Sequence, residues 1–359
     1  MKKSLLFLLL IGSLTVSAQT ISPQVRLLAS QITSGITKDS LKVRAIYTWL
    51  ADNIAYDVDQ FNQRTNRTMD EYAESQKPER VIVTRKAVCM GYSMLFQDLC
   101  LSLNIKAQHI AGYCKSLDPQ TRTLTFSNQL HSWNAVKING RWYLCDPSWS
   151  AGAVNMATGR FQKKLNEEYY LTDSQTFIQR HLPFDPLWQL RYEPVSLQQF
   201  RSSEIIPKVG KRITLNYTDS LKVFETQDFD TQKLNAYFRS FKFDQSNDEA
   251  KAGIGYYYAQ QAQKDSKAWH ELLMTFMNKN TADSYRRAMA EKNRVYQLLE
   301  SVERGMNQAR YYYSLIPSHS LQSRVAINNV RNADHFLTVV EQNRANMAKY
   351  YDTLKKAKY

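Results

Sequence analysis

The chain has 359 residues, 43 % hydrophobic and 22 % charged, and 47 Lys and Arg against 33 Asp and Glu give it a formal charge of +14. That composition is globular rather than disordered or fibrous, and the length suits two domains better than one. Only 11 Gly and 9 Pro argue against a propeller or a many-turned β sandwich, which need frequent breakers.

Lys2 and Lys3 precede an apolar run from Leu5 to Leu14, and Val16-Ser17-Ala18 places small residues before a cut after Ala18. This is the pattern of a secretory signal peptide over residues 1–18, too short for the about 20 apolar residues of a membrane span. The expectation is an exported protein, periplasmic or secreted, with no integral membrane segment once the signal is removed. Export would put Cys89, Cys100, Cys114 and Cys145 where disulfides form, and a Cys114–Cys145 bridge is one pairing to test. Cys100 reads as a core thiol. No CxxC pair occurs, so neither zinc nor another metal is expected.

Residues 20–57 carry helical spacing (Ile36, Leu41, Val43, Ile46, Trp49, Leu50, Ile54), with Asp39 as a cap. Residues 58–80 are polar and predict a loop. Residues 88–103 predict a helix with Tyr92, Leu95, Phe96, Leu99 and Leu103 on one face. Gln108–Lys115, Ser132–Ile138 and Arg141–Asp146 predict strands, the last two joined by the type I′ turn signal Asn139-Gly140. Residues 165–192 predict a short helix and a proline-containing loop. Ile205–Val209 and Arg212–Asn216 predict short strands in a linker, 199–229, after a core domain over 19–198. From 230 to 359 a helical domain is expected. Within it, one long helix would run from Tyr285 to Ile316, stop at Pro317, and pair with a second through Val325 to Leu354. The basic residues are scattered over these helices with no dense stripe, so nucleic acid is not expected as a partner.

One region carries chemistry. Cys89 would sit at a helix N-terminus, where the dipole and backbone N–H groups favour a thiolate and can hold an oxyanion. With a two-residue turn at Asn139-Gly140, Trp133 faces Asp146, and His131 stands two residues along on the same strand face. His131 and Asp146 become diagonal neighbours, an imidazole beside a carboxylate orienter. Ala135, Trp142 and Leu144 share that face. Spacing alone does not bring Cys89 to the pair.

Cys89-Met90-Gly91-Tyr92-Ser93, Leu103-Asn104-Ile105, Gly112-Tyr113, His131-Ser132-Trp133-Asn134-Ala135-Val136 and Trp142-Tyr143-Leu144-Cys145-Asp146-Pro147-Ser148-Trp149 follow one another in order. Together they resemble the transglutaminase-like superfamily, in its kyphoscoliosis-peptidase and cytokinesis-protein branch. Ala45 to Asp57 upstream, and Tyr169 to Asp173, His181-Leu182-Pro183 and Asp185-Pro186-Leu187-Trp188 downstream, extend the likeness over roughly residues 40–190. The resemblance implies an α+β, papain-like core with an antiparallel sheet, followed by the helical domain. It implies Cys89 as nucleophile, His131 as base and then acid, and Asp146 as orienter. Trp49 and Tyr56 are candidates for an upstream oxyanion contact, and Trp133 and Tyr92 for lining a substrate groove.

No cofactor is expected, and the calcium sites of animal transglutaminases have no counterpart in the sequence. Those enzymes also carry a Trp shortly after the nucleophile, where this chain has Gly91-Tyr92. These departures favour hydrolysis of peptide or side-chain amides, on a peptide or protein substrate of the cell envelope or its surroundings. An amine-acceptor transferase that cross-links proteins, or an inactive peptide-binding scaffold, remain the alternatives.

Overall fold

The computed structural model describes residues 21–356 apart from 64–68, 119–120, 122, 156–157, 204, 207–213, 278–280 and 321. The expected signal peptide lies outside the described residues. Two compact units are distinguished, one of residues 1–109 with 132–172 and one of residues 110–131 with 173–359.

In the first unit, helix α1 (Pro23–Ile32) starts at Ser22, whose hydroxyl accepts the Val25 N–H at 3.3 Å, with Pro23 where a missing N–H costs nothing. The single helix expected over 20–57 is divided, because Gly35 takes a left-handed turn (φ 74°) before α2 (Asp39–Asn53). Asp39 is the first helical residue and Lys38 the cap, so the acid acts on the helix dipole rather than as a hydrogen-bonding cap. Strand β1 (Ala55–Tyr56) pairs in parallel with β2 (Lys86–Ala87).

Between them the expected loop contains three short helices, α3 (Val58–Gln63), α4 (Met69–Ser75) and α5 (Pro78–Thr84). Segments of six or seven residues are too short to show a 3.6-residue period. Pro78, taken as a loop residue, opens a helix at a position that tolerates proline.

Helix α6 (Cys89–Ser102) is the centre of this unit. Cys89, Gly91, Tyr92, Ser93, Leu95, Phe96, Gln97, Asp98, Leu99 and Cys100 are all buried on it, and α1, α2 and α5 pack around it. A helix enclosed on nearly every side is held by packing rather than by amphipathicity. Val25, Ile46, Leu50, Leu95 and Leu99 are among the core residues with no exposed surface. Each contributes about 1.5–3 kcal/mol on burial.

Strands β3 (Ala107–Leu117), β4 (Leu124–Ile138) and β5 (Arg141–Cys145) follow. β4 begins eight residues before the expected start; Asn128 interrupts the apolar alternation of Leu124, Phe126 and Leu130 there. The β4–β5 register runs from Asn134↔Cys145 to Ile138↔Arg141, closed by Asn139 (φ 50°) and Gly140 (φ 80°) as the turn signal requires. Asp146 is not a strand residue. Pro147 cannot continue the ladder and instead opens α7 (Pro147–Ala151), with Asp146 as its N-cap. A hairpin of β6 (Gly152–Asn155) and β7 (Arg160–Lys163) closes the unit.

The second unit holds α8 (Ser174–Phe177) and β8 (His181–Pro183). β8 pairs antiparallel with β3 through Gly112↔Pro183, Tyr113↔Leu182 and Cys114↔His181, completing a sheet of order β5-β4-β3-β8. Helices α9 (Leu197–Ser202) and α10 (Tyr217–Phe224) flank the expected strands. Ile205, Ile206 and Thr214 to Asn216 are not strand residues, and 207–213 lie outside the described residues. A Ser196–Gln199 capping box starts α9.

The remainder is helical: α11 (Phe229–Phe243), α12 (Asp248–Met274), α13 (Ala282–Ala290), α14 (Lys292–Ser314) and α15 (Ser323–Lys356). α14 packs against both α12 and α15. The helix expected from Tyr285 is interrupted at Glu291 (φ −88°, ψ 0°), a one-residue kink that hydrophobic spacing survives. The tyrosines serve mainly as interhelical packing: Tyr258 stacks on Tyr312 at 6.0 Å and Tyr313 is buried, while Tyr256 and Tyr311 stay exposed. No helix among the described residues is long and apolar enough to cross a membrane.

Asp185 ties the loop after β8 to α11. Its carboxylate takes Arg239 Nε at 2.8 Å and Nη2 in a fork, and its Oδ1 caps Leu187 N–H at 3.0 Å. Burial pushes the Asp185 carboxyl up, against the pull of Arg239. Removing one member leaves a buried charge without its counter-ion. Arg239→Ala is expected to lower unfolding stability by about 3 kcal/mol in urea titration; an unchanged midpoint would show that the pair is not needed there.

Candidate active site

Cys89 is the first residue of α6 and is buried, 7 % exposed. Three features of the chain before it fix its position. Arg85 turns left-handed (φ 55°) to end α5, its guanidinium resting on the Trp49 ring at 4.8 Å. Lys86 and Ala87 then pair with Ala55 and Tyr56, and Asp57 N–H donates to the Ala87 carbonyl at 2.9 Å. Finally the Val88 N–H donates to the side-chain oxygen of fully buried Gln76 at 3.0 Å. Gly91 in the first turn makes room for this: a Cβ there would lie 2.6 Å from Gln76 Oε1 and 2.9 Å from Ala87 Cβ.

A second clasp binds α6 to β4. Ser93 hydroxyl donates to the Trp133 carbonyl at 2.6 Å, and Asn134 Nδ2 donates back to the Ser93 carbonyl at 3.0 Å. Helix and strand therefore exchange side-chain-to-backbone bonds within four residues of Cys89. Sequence reasoning missed Gln76, Ser93 and Asn134 as positioning groups. A buried polar residue on an apolar helix, such as Ser93, was the available signal.

Asp146 is completely buried in the first unit. Its Oδ1 accepts Ser148 N–H at 3.0 Å, Trp149 N–H at 3.1 Å and the Ser148 hydroxyl at 2.7 Å. The β4–β5 register ends at Asn134↔Cys145, and Asp146 follows it as the cap of α7. β4 runs unbroken through His131, which by strand alternation shares the face of Trp133 and Ala135. His131 itself falls in the second unit, buried, its ring 5.5 Å from that of His181. Phe177 stacks on the His181 ring at 4.1 Å.

The remaining expected residues separate. Tyr56 is half-buried opposite Ala87, two residues before Cys89, in ring contact with Phe61 and Phe161. Trp49 lies on α2 under Arg85. Trp133 and Tyr92 have no exposed surface, so neither ring can line a groove; the Tyr92 hydroxyl donates to the Ile54 carbonyl at 2.6 Å. All four cysteines are buried thiols, and the Cys114–Cys145 bridge is absent. Burial pushes the Cys100 and Cys145 thiols up.

A thiol at the N-terminus of a buried helix, clasped to the β4–β5 hairpin, gives the first unit an α+β architecture. Residues 26–147 match the family model described as "Transglutaminase-like superfamily", so this chain carries a transglutaminase-like domain. It is 34 % identical over 188 residues to the kyphoscoliosis peptidase of Mus musculus, covering 52 % of this chain and 27 % of that one. It is 26 % identical over 199 residues to the Lim and transglutaminase domain protein ltd-1 of Caenorhabditis elegans, covering 53 % and 26 %. The chain thus spans about a quarter of the length of the curated relatives it matches. A solved structure described as a cysteine-protease candidate from Cytophaga hutchinsonii aligns at TM-score 0.28 and 22 % identity, over 40 % of this chain and 41 % of that one.

Half-buried His109 flanks this region on β3, with Nε2 3.1 Å from the Ser132 hydroxyl. Desolvation lowers it from 6.5 to about 4. The folded value lies below the unfolded one, so its contribution to stability is full above pH 6.5 and is lost as pH falls from 6.5 towards 4. The loss amounts to about 3 kcal/mol at most. Urea unfolding at pH 7 and pH 4.5 should show a smaller acid loss for His109→Gln than for the parent protein; equal losses would contradict the assignment.

Proposed function

We propose that this chain is an exported thiol hydrolase of peptide or side-chain amides, acting through Cys89, His131 and Asp146. The observation that supports the reading is the β4–β5 register, which pairs Asn134 with Cys145 and Ile138 with Arg141 around the Asn139-Gly140 turn, on the strand that α6 is clasped to. Cys89 would attack the amide carbonyl as thiolate, with the first-turn N–H groups of α6 around the oxyanion. His131 would take the thiol proton, then give it to the leaving amine as the C–N bond breaks and a thioester remains. Water, deprotonated by His131, would add to the thioester carbonyl and expel the Cys89 thiolate. Asp146 would hold the imidazole in one tautomer throughout.

The peptidase name of the mammalian relatives supports amide cleavage, and the signal-like residues 1–18 support export to the periplasm or medium. An enclosed position for Cys89 suits a thiol that must survive an oxidising compartment.

The test measures iodoacetamide alkylation of Cys89, located by peptide mass spectrometry, and hydrolysis of a fluorogenic peptide-amide library. Alkylation of Cys89 should be slowed by His131→Ala. Hydrolysis should vanish in Cys89→Ala and fall by roughly 10²–10⁴-fold in His131→Ala, the range general-base catalysis supplies. Alkylation indifferent to His131 would overturn the catalytic reading and favour a peptide-binding scaffold. Turnover seen only with added amine would replace hydrolysis by transfer.

A further inference from the structure

His181-Leu182-Pro183 stands among the ordered motifs of the chain, yet the triad uses none of it. These residues form β8, at the edge of the sheet beside β3. Lys115 N–H donates to the Arg180 carbonyl at 2.8 Å and Phe184 N–H to the Ala111 carbonyl at 3.0 Å, so the strand is tied at both ends. His131, also in the second unit, stands on β4, on the other side of β3. Two sheet steps set such backbones roughly 9.5 Å apart. The two imidazole rings lie only 5.5 Å apart, tilted by 36°. The strand between them allows the approach. Cys114 is directly opposite His181 and shares its face, and by alternation Gly112 shares it too. That face of β3 presents a small thiol and a bare backbone where a larger side chain would keep the rings apart.

His181 has a second ring against it. Phe177 stacks on it at 4.1 Å and 21°, closer and more nearly parallel than His131. Phe177 ends α8, which Asp173 caps: Oδ1 accepts Gln175 N–H at 2.9 Å and Thr176 N–H at 3.0 Å, and Oδ2 accepts the Thr176 hydroxyl at 2.7 Å. His181, Phe177 and His131 are 1 %, 3 % and 6 % exposed, and close packing leaves a buried ring little room to swing. The last torsion of a His side chain is broad and nearly two-fold, so its ring turns over a wide arc unless its neighbours limit it. A base that serves Cys89 needs that ring in one orientation. His181 is one such neighbour, at a centroid distance where aromatic rings attract beyond the area they bury.

We propose that His181 is a positioning residue: its ring, stacked on Phe177, restricts the rotation of the His131 imidazole. It acts on Cys89 only through His131. This inference rests on the reading of His131 as the base for Cys89.

The experiment compares the parent protein, His181→Ala and His181→Phe by two readouts, with thermal melting of every variant. Long-range ¹H–¹⁵N spectra of protein labelled at histidine report the His131 ring directly, its signals assigned by their loss in His131→Ala. One sharp set is expected in the parent and in His181→Phe, which keeps a ring beside His131, and shifted, broadened signals in His181→Ala. The second-order rate of iodoacetamide alkylation at Cys89 should fall about tenfold in His181→Ala, the upper range of what an aromatic pair supplies. His181→Phe should restore most of that rate. In a His131→Ala background, His181→Ala should have no further effect. If His181→Ala does not fold, His181→Leu, which fills the space without a ring, gives the same comparison with His181→Phe. Unchanged His131 signals or an unchanged rate in His181→Ala, no recovery in His181→Phe, or an equal slowing with and without His131 overturns the positioning role while leaving the triad standing. A parent protein whose alkylation is indifferent to His131 overturns both.

Discussion

The buried amide of Gln76 holds the N–H of Val88 at 3.0 Å, one residue before the candidate nucleophile, and the geometry of the first unit follows from that contact. A thiol gains reactivity at a helix N-terminus only if the helix begins where the chemistry needs it. α6 has no side-chain N-cap of its own, because Val88 occupies that position. The start of the helix is instead imposed from outside, by the parallel β1–β2 bridge on one side and by Gln76 on the other. Gly91 is the complement of this arrangement, since any side chain there would push against Gln76 and Ala87.

The same economy appears on the hairpin. Asp146 follows β5 directly, caps α7 and is the expected orienter of His131, and Pro147 makes the strand give way to the helix at that point. Tyr47 from α2 then holds the main chain at that junction, and Ser93 and Asn134 hold α6 to β4. Each of these contacts is a buried polar group answered by another, the condition under which such groups rigidify a fold rather than destabilise it. The residues quoted for the family resemblance include Ser93 and Asn134, which bond α6 to β4, and Ser148, whose hydroxyl bonds the Asp146 carboxylate.

How much of this could be read in advance depended on the range of the interaction. The hairpin register was legible because Asn139-Gly140 fixes it locally, and α6 was legible from its apolar run. The boundary at Gly35, the three short helices between β1 and β2, and the kink at Glu291 were not, because none leaves a period long enough to see. Tyr92 and Trp133 looked like groove residues because their motifs surround the site; only packing shows that both are enclosed. Gln76 was invisible for a different reason. Its partner is a backbone N–H twelve residues away, and no spacing rule connects the turn between two short helices to the start of a buried one.

The central claim is that Cys89 carries covalent acyl transfer. Its most direct test is intact-mass and peptide mapping of the protein mixed rapidly with a p-nitrophenyl ester of an acylated peptide and quenched in acid. An acyl-thioester on the Cys89 peptide, appearing with the nitrophenol burst and absent in Cys89→Ala, is the predicted result. No adduct, or adduct spread over Cys100, Cys114 and Cys145 as well, would contradict the account.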